Sequence, residues 1–174
     1  MTGVQTCALP IFQARHEIQP ACLAERISAM MTIDKKLSSS YARPRTETDR
    51  LFEAAYNHDP RADNCEDCDQ SRKVSRSLRS DNEPRFHYGD IASGNRVIKA
   101  ARVRDQIARQ SNALCFEMES AGLIDHFPCL VIRGICDYSD SHKAKEWQKY
   151  AAAVAAAYAR DLLFHILQQH RGSE

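Results

Sequence analysis

The chain has 174 residues, with 24 lysines and arginines set against 23 aspartates and glutamates. That length fits one domain with a single core, and the balanced charge leaves no global field to draw nucleic acid or a membrane surface. No uninterrupted apolar run reaches the roughly 18 residues of a membrane span, and the seven irregularly spaced cysteines, several inside apolar runs, read as reduced thiols of a cytoplasmic, intracellular protein.

In chain order, residues 1–11 are set aside. Thr2 to Ile11 match the translation of a common sequencing adapter, and the stretch MTGVQTCALPIF has no basic segment to make it a signal peptide. Native sequence is therefore expected to begin near Phe12, with an upstream part of the domain missing. Phe12 to Leu37 is helical in composition, with Leu23, Ile27 and Met30 or Met31 at three-to-four spacing and Pro20 as a restart point. Ser38 to Thr48 has loop composition. Asp49 to Tyr56, carrying Leu51 and Phe52, reads as a short strand. Residues 57–84 are polar and charged, a flexible surface excursion.

Regular patterning returns at Arg85. Phe86 to Ala92 reads as a strand and Ser93-Gly94-Asn95 as the turn after it. Val97 to Gln110 spaces Val97, Ile98, Ala101 and Ile107 as an amphipathic helix. Ala113 to Met118 reads as a strand and Glu119 to His126 as a short helix. Leu130 to Cys136 is an apolar run broken only by Arg133 and Gly134, which suits a parallel strand covered on both faces. An alanine-rich helix over Lys145 to Gln168 follows. The alternation of strands and helices predicts an α/β layer fold.

In such sheets, ligands gather at the carboxyl ends of parallel strands. Glu117-Met118-Glu119, Ser93-Gly94-Asn95 and Asp137 all fall there. A single acidic residue at a strand end is usually a helix cap. Several of them, with Arg133 in the same layer, point to chemistry.

Cys115-Phe116-Glu117-Met118-Glu119-Ser120-Ala121, followed by Arg133-Gly134-Ile135-Cys136-Asp137, resembles the nucleoside phosphorylase and nucleosidase superfamily. That superfamily includes uridine phosphorylases and methylthioadenosine/S-adenosylhomocysteine nucleosidases. The segment HYGDIASGNRVIKAARVRDQIA resembles the strand and helix before that motif, and the likeness runs from about Phe86 to Leu167. It closely resembles the version found in fungal multidomain proteins, where the domain is often joined to nucleotide-binding or repeat regions. The resemblance implies a three-layer α/β/α sandwich, of which this chain would be the C-terminal part, spanning residues 12–174.

It also implies a reaction. Cleaving the N-glycosidic bond of a purine nucleoside, by water or by phosphate as co-substrate, builds positive charge on the ribose while the base leaves with electrons. A carboxylate beneath the sugar holds its hydroxyls and stabilises that charge. The resemblance gives this part to Glu119, with Met118 packed on the sugar and Glu117 nearby. The leaving purine takes a proton from a general acid, and Asp137 occupies the matching position. That aspartate is also what favours purine over pyrimidine nucleosides. Arg133 reads equally as a residue ordering the nucleophile region and as an ion-pair partner of Glu117 or Glu119. Val97 and Ile98 match positions lining the base pocket, though core packing explains them as well, and Ser93 and Asn95 are also ordinary turn residues. One departure stands out: Cys136 replaces the usual Ser or Thr before the aspartate, and a thiol is the weaker hydrogen-bonding group.

His58, Cys65 and Cys68 offer three zinc ligands, but a structural site takes four and no second CxxC is present. The expectation is a solvated loop with incidental thiols and no metal. A site in the Asp137, Asp140 and His142 stretch is disfavoured because the acid role accounts for Asp137. Neither a glycine-rich phosphate loop nor a second catalytic carboxylate is recognisable. From this follow a fragment lacking turnover alone, an unpaired strand edge and an exposed apolar face. Homo-oligomerisation and fusion to signalling or repeat domains are compatible partnerships. The competing reading is a non-catalytic nucleotide-sensing module of a larger receptor-like protein.

Overall fold

A computed structural model of the protein describes residues 25–29, 32, 35–77, 79–143 and 145–171. The adapter-like segment 1–11 and most of the first expected helix lie outside the described residues. Within that helix, residues 25–29 are helical, and α1 runs from Lys35 to Tyr41, into the stretch expected as loop.

The centre of the fold is a strand–helix–strand unit. β1 (Ile91–Ser93) pairs in parallel with β2 (Cys115–Glu117), in the register Ile91 to Cys115, Ala92 to Phe116 and Ser93 to Glu117. The amide of Leu114 donates to the Asp90 carbonyl at 2.8 Å and that of Gly94 to the Glu117 carbonyl at 3.3 Å, extending the contact at both ends. Between the strands lies α2 (Ala101–Ser111), which ends at Asn112 in the left-handed conformation, φ 53°. Asparagine tolerates that backbone better than most residues.

Two differences from the sequence reading concern β-branched runs. The helix expected from Val97 begins at Ala101; Ala100 is extended, and Val97 and Ile98 precede the helix. Leu130 to Cys136 forms no ladder among the described residues. A strand needs a partner for its amides and carbonyls, and apolar β-formers alone do not supply one. Likewise the Asp49–Tyr56 strand reduces to one antiparallel bridge, Phe52 to Lys73, and the Glu119–His126 helix to the tight turn Ser120–Gly122 and the bends after it. These elements make an α/β arrangement with a small parallel sheet.

α3 (Trp147–Arg171) is the long helix the alanine-rich pattern predicts. Ala151, Ala153, Ala157 and Leu162 are buried along it, and Ala157 packs with Ile27, Phe86, Val154 and Tyr158. Small side chains permit close approach: a Cβ on Gly134 would collide with the Ala151 carbonyl oxygen. By length and composition, Trp147–Gln168 is apolar enough to cross a membrane, with mean hydropathy 1.2, which the count of uninterrupted apolar residues did not anticipate. Alanines carry that score. The buried Asp161, ion-paired with Arg26, is a group that hydrocarbon would penalise.

Residues 57–84 are anchored at several points. Val74 N donates to Leu51 O at 2.9 Å, Glu53 N to Arg72 O at 3.0 Å, and Arg50 Nη1 to Cys65 O at 2.7 Å. Phe52, 1% exposed, stacks on His142 with ring centroids 4.3 Å apart. Large apolar side chains stay exposed elsewhere, among them Phe127, Ile124 and Leu167.

Candidate functional site

The carboxyl ends of β1 and β2 open into a cavity of about 320 Å³. The register that sets Ser93 beside Glu117 brings the two strand-end turns together there. Ser93, Val97, Ile98, Glu117, Met118, Glu119, Arg133 and Asp137 all line this cavity. Residues from four separate stretches of sequence thus converge on one space.

Their local states differ. Glu117 is buried, and its carboxylate accepts the amides of Glu119 at 2.8 Å and Ser120 at 2.9 Å, together with the Ser120 hydroxyl. Burial alone would push its pKa up. The hydroxyls of Ser120 and Ser93 and the two amides outweigh that, holding the group at about 2. Glu117 therefore serves as an anionic cap for the turn that follows β2, with little capacity left for a ligand. Ser93 is similarly engaged, its hydroxyl accepting the Ala121 amide at 2.8 Å.

Glu119 is the open carboxylate. Its side chain is 79% exposed; one oxygen accepts the Met118 amide at 3.1 Å and stands 4.0 Å from Arg133 Nη1. Arg133 therefore faces Glu119 across the cavity wall, the ion-pair geometry that was one of its two readings. Met118 and Val97 expose their side chains and Ile98 is half-buried. None of the three is consumed by core packing.

Asp137 is largely buried at its side chain and braced from three directions. Its Oδ1 accepts the Ser139 amide at 2.8 Å; its Oδ2 lies 3.3 Å from Lys143 Nζ and 3.7 Å from the Cys136 thiol. The Cys136 departure thus still donates toward the aspartate, over the longer distance sulfur imposes. Ser139 adopts φ 51°, a left-handed conformation unusual for serine. Lys143 also lines the cavity, and the sequence reading missed it. A lysine six positions past the aspartate carries no motif of its own.

The outer side of the Asp137 loop is clamped as well. Arg104 of α2 donates to the Tyr138 carbonyl at 2.8 Å and faces Asp140 at 3.7 Å. The Tyr138 hydroxyl donates to Asp49 at 2.6 Å and receives Arg76. Burial, reinforced by Asp49, pushes that phenol up to about 12. The chemical capacity of the site is therefore specific: one open carboxylate, one ion-paired arginine, and one braced aspartate around a space to which Val97, Ile98, Ile107, Phe116 and Met118 contribute apolar surface.

No family model matches the chain, and no solved structure matches it. Among curated proteins, it is 48% identical over 126 residues to a nucleotide-binding leucine-rich repeat (NLR)-like protein of Hyaloscypha variabilis; the match covers 72% of this chain and 12% of that relative. It is 28% identical over 86 residues to the 5'-methylthioadenosine/S-adenosylhomocysteine nucleosidases of Mycobacterium bovis and Mycobacterium tuberculosis, covering 47% of this chain and 34% of each relative. The chain spans well under half the length of these curated relatives. The similarity to the nucleosidases is distant and partial.

Proposed function

We propose that the cavity is the purine-nucleoside half-site of a nucleoside phosphorylase-like domain with a three-layer α/β/α architecture. The parent reaction is N-glycosidic cleavage by water or phosphate, within a larger multidomain protein of the NLR-like kind. The observation that carries this reading is the convergence of Glu119, Arg133, Met118 and Asp137 on one cavity at the ends of two parallel strands.

In this reading Glu119, open toward the cavity, accepts hydrogen bonds from the ribose hydroxyls, and its charge steadies the oxocarbenium-like transition state. Arg133 fixes its position. Met118, Val97 and Ile98 offer apolar surface to the sugar and base. Asp137 delivers the proton that lets the purine leave, with Ser139, Cys136 and Lys143 setting its orientation. Glu117 acts one step removed, holding the turn on which Met118 and Glu119 are presented.

Calorimetric titration with adenosine, inosine and methylthioadenosine, with chromatographic detection of free purine, tests the proposal. Binding that weakens in Glu119→Gln and Asp137→Asn supports the half-site. Binding that neither substitution alters, or no binding, overturns it. The sensor reading rests on the NLR-like relative; it predicts binding without purine release even in the complete parent protein.

A further inference from the structure

A second cluster touches the loop that follows Asp137, at Ser141 and His142. The ligand atoms of His58, Cys65 and Cys68 all lie within 4.8 Å of one another. Cys68 is buried, Cys65 is half-buried, and both are free thiols, so the expectation of a solvated loop with incidental thiols does not describe them. His142 borders the group. Its carbonyl accepts the Cys65 thiol at 3.8 Å, and its ring lies edge-on to that of His58 at 5.5 Å. His142 is 7% exposed, and its Nε2 has no hydrogen-bond partner among the described residues. A buried ring nitrogen without a partner is costly and asks for an explanation.

We propose that His58, Cys65, Cys68 and His142 form a structural zinc site that fixes the loop carrying Asp137. Two thiolates and two imidazoles are a common tetrahedral zinc donor set, and soft sulfur ligands disfavour magnesium or calcium. Binding displaces the two thiol protons to solvent, leaving an uncharged ZnS₂N₂ unit. At Zn–S of about 2.3 Å and Zn–N of about 2.0 Å, tetrahedral ligand atoms stand roughly 3.3–3.8 Å apart. The ligand atoms of His58, Cys65 and Cys68, within 4.8 Å of one another, reach that spacing by side-chain rotation, and the His142 ring turns toward them to complete the set.

The surrounding hydrogen bonds prepare the ligands. His58 Nε2 is 2.8 Å from the Asn64 carbonyl. A carbonyl only accepts, so Nε2 carries the proton and Nδ1 keeps the lone pair for a metal. Such outer contacts orient ligating histidines. Arg50 holds the Cys65 carbonyl, and the His58 amide donates to Ser141 Oγ at 3.0 Å, tying the cluster to the Asp137 loop. Asp140 Oδ1 accepts the His142 amide at 2.9 Å, while its Oδ2 stands 3.7 Å from Arg104 without a hydrogen bond among the described residues. The fourth position goes to His142 because an imidazole suits a thiolate-rich zinc site and its ring already borders that of His58. This site is independent of the nucleoside reading.

The test uses the whole chain, purified with reductant. Zinc content by plasma mass spectrometry should be one ion per chain. Cobalt(II) should give the strong ligand-field and thiolate charge-transfer bands of a tetrahedral site. Zinc should protect two thiols from a disulfide reagent. Cys65→Ser, Cys68→Ser and His142→Gln should each weaken zinc binding by about 100-fold or more, since even outer-shell changes cost about 10–100-fold. Cys129→Ser, at an exposed thiol, should not. Absence of stoichiometric metal, octahedral cobalt spectra, or a Cys65–Cys68 disulfide in the reduced preparation would overturn the proposal. These wild-type measurements stand even if a variant fails to fold.

Discussion

Glu117 and Glu119, two positions apart on one turn, are in opposite states: the first is buried and spent on backbone amides, the second is open to the cavity. A Glu-x-Glu motif gives no sign of that division of labour. The turn itself creates it, by directing one carboxylate under the backbone and leaving the other outside.

Glu117→Gln should therefore destabilise the protein by about 2–3 kcal/mol at neutral pH, the usual cost of disturbing a buried, charge-assisted hydrogen-bonded group. The sign with pH follows from linkage. The folded pKa is about 2 and the ordinary value is 4.5, so the stabilisation is present above about pH 4.5 and fades as pH falls toward 2. Denaturant unfolding of both proteins between about pH 6 and pH 2 should show their stabilities converging under acid. A constant gap would contradict the capping role.

Glu119→Gln should leave the unfolding free energy within about 0.5 kcal/mol of wild type, as for other exposed positions, while weakening nucleoside binding. Comparing the two glutamine variants by calorimetry and by melting separates ligand contact from turn support. Equal loss of stability in both would remove the distinction.

On the proposed reading, in a chain that carries the whole domain, Asp137→Asn should cut purine release by about 10²-fold or more beyond its effect on binding, because amide and carboxyl are near in shape and only one delivers a proton. Single-turnover measurement with a bound purine nucleoside checks this. An unchanged rate would reassign the acid.

How much of this was legible in sequence depends on whether the determinant is local. The long alanine-rich helix was legible because its pattern repeats over several turns, and it runs Trp147–Arg171. The eight residues named from the sequence lie among those lining the cavity, and Ser93, Glu117, Met118 and Glu119 sit at or beside the ends of strands that form. Leu130–Cys136 was misread, since strand formation depends on a neighbour that local composition does not reveal. Val97 and Ile98 were placed in a helix by spacing, yet they line the cavity before the helix begins. The pairing of Lys143 with Asp137 and the approach of His142 to Cys65, 77 positions apart, come from tertiary folding and leave no periodic trace.

Gly134→Ala should cost about 1–3 kcal/mol, the range for inserting a methyl into occupied space. The new Cβ would meet the Ala151 carbonyl, so α3 or the 130–136 segment must give way. Gly122→Ala, where nothing lies within 4 Å, is the control and should be nearly neutral. Denaturant midpoints decide it; equal effects would mean the close approach is absent in solution.

Tyr138→Phe should cost about 1.5–3 kcal/mol, because its hydroxyl bonds to charged partners. The folded phenol titrates at about 12 against an ordinary 10.0. Its contribution is thus complete below about pH 10 and lost as pH rises through 12. Ultraviolet titration should show one fewer tyrosinate forming late in the variant, and an unchanged titration would contradict the half-buried Tyr138–Asp49 bond.

The stretch from Asp137 to His142 touches the cavity through Asp137 and Ser139 and the cysteine–histidine cluster through Ser141 and His142. A wall shared in this way makes the two compartments thermodynamic neighbours. If occupancy of one shifts the loop, the affinity of the other changes by some factor, and the reverse effect must equal it. Oxidation of Cys65 and Cys68 would then register as altered nucleoside affinity, giving six residues of loop the character of a relay between redox state and ligand binding.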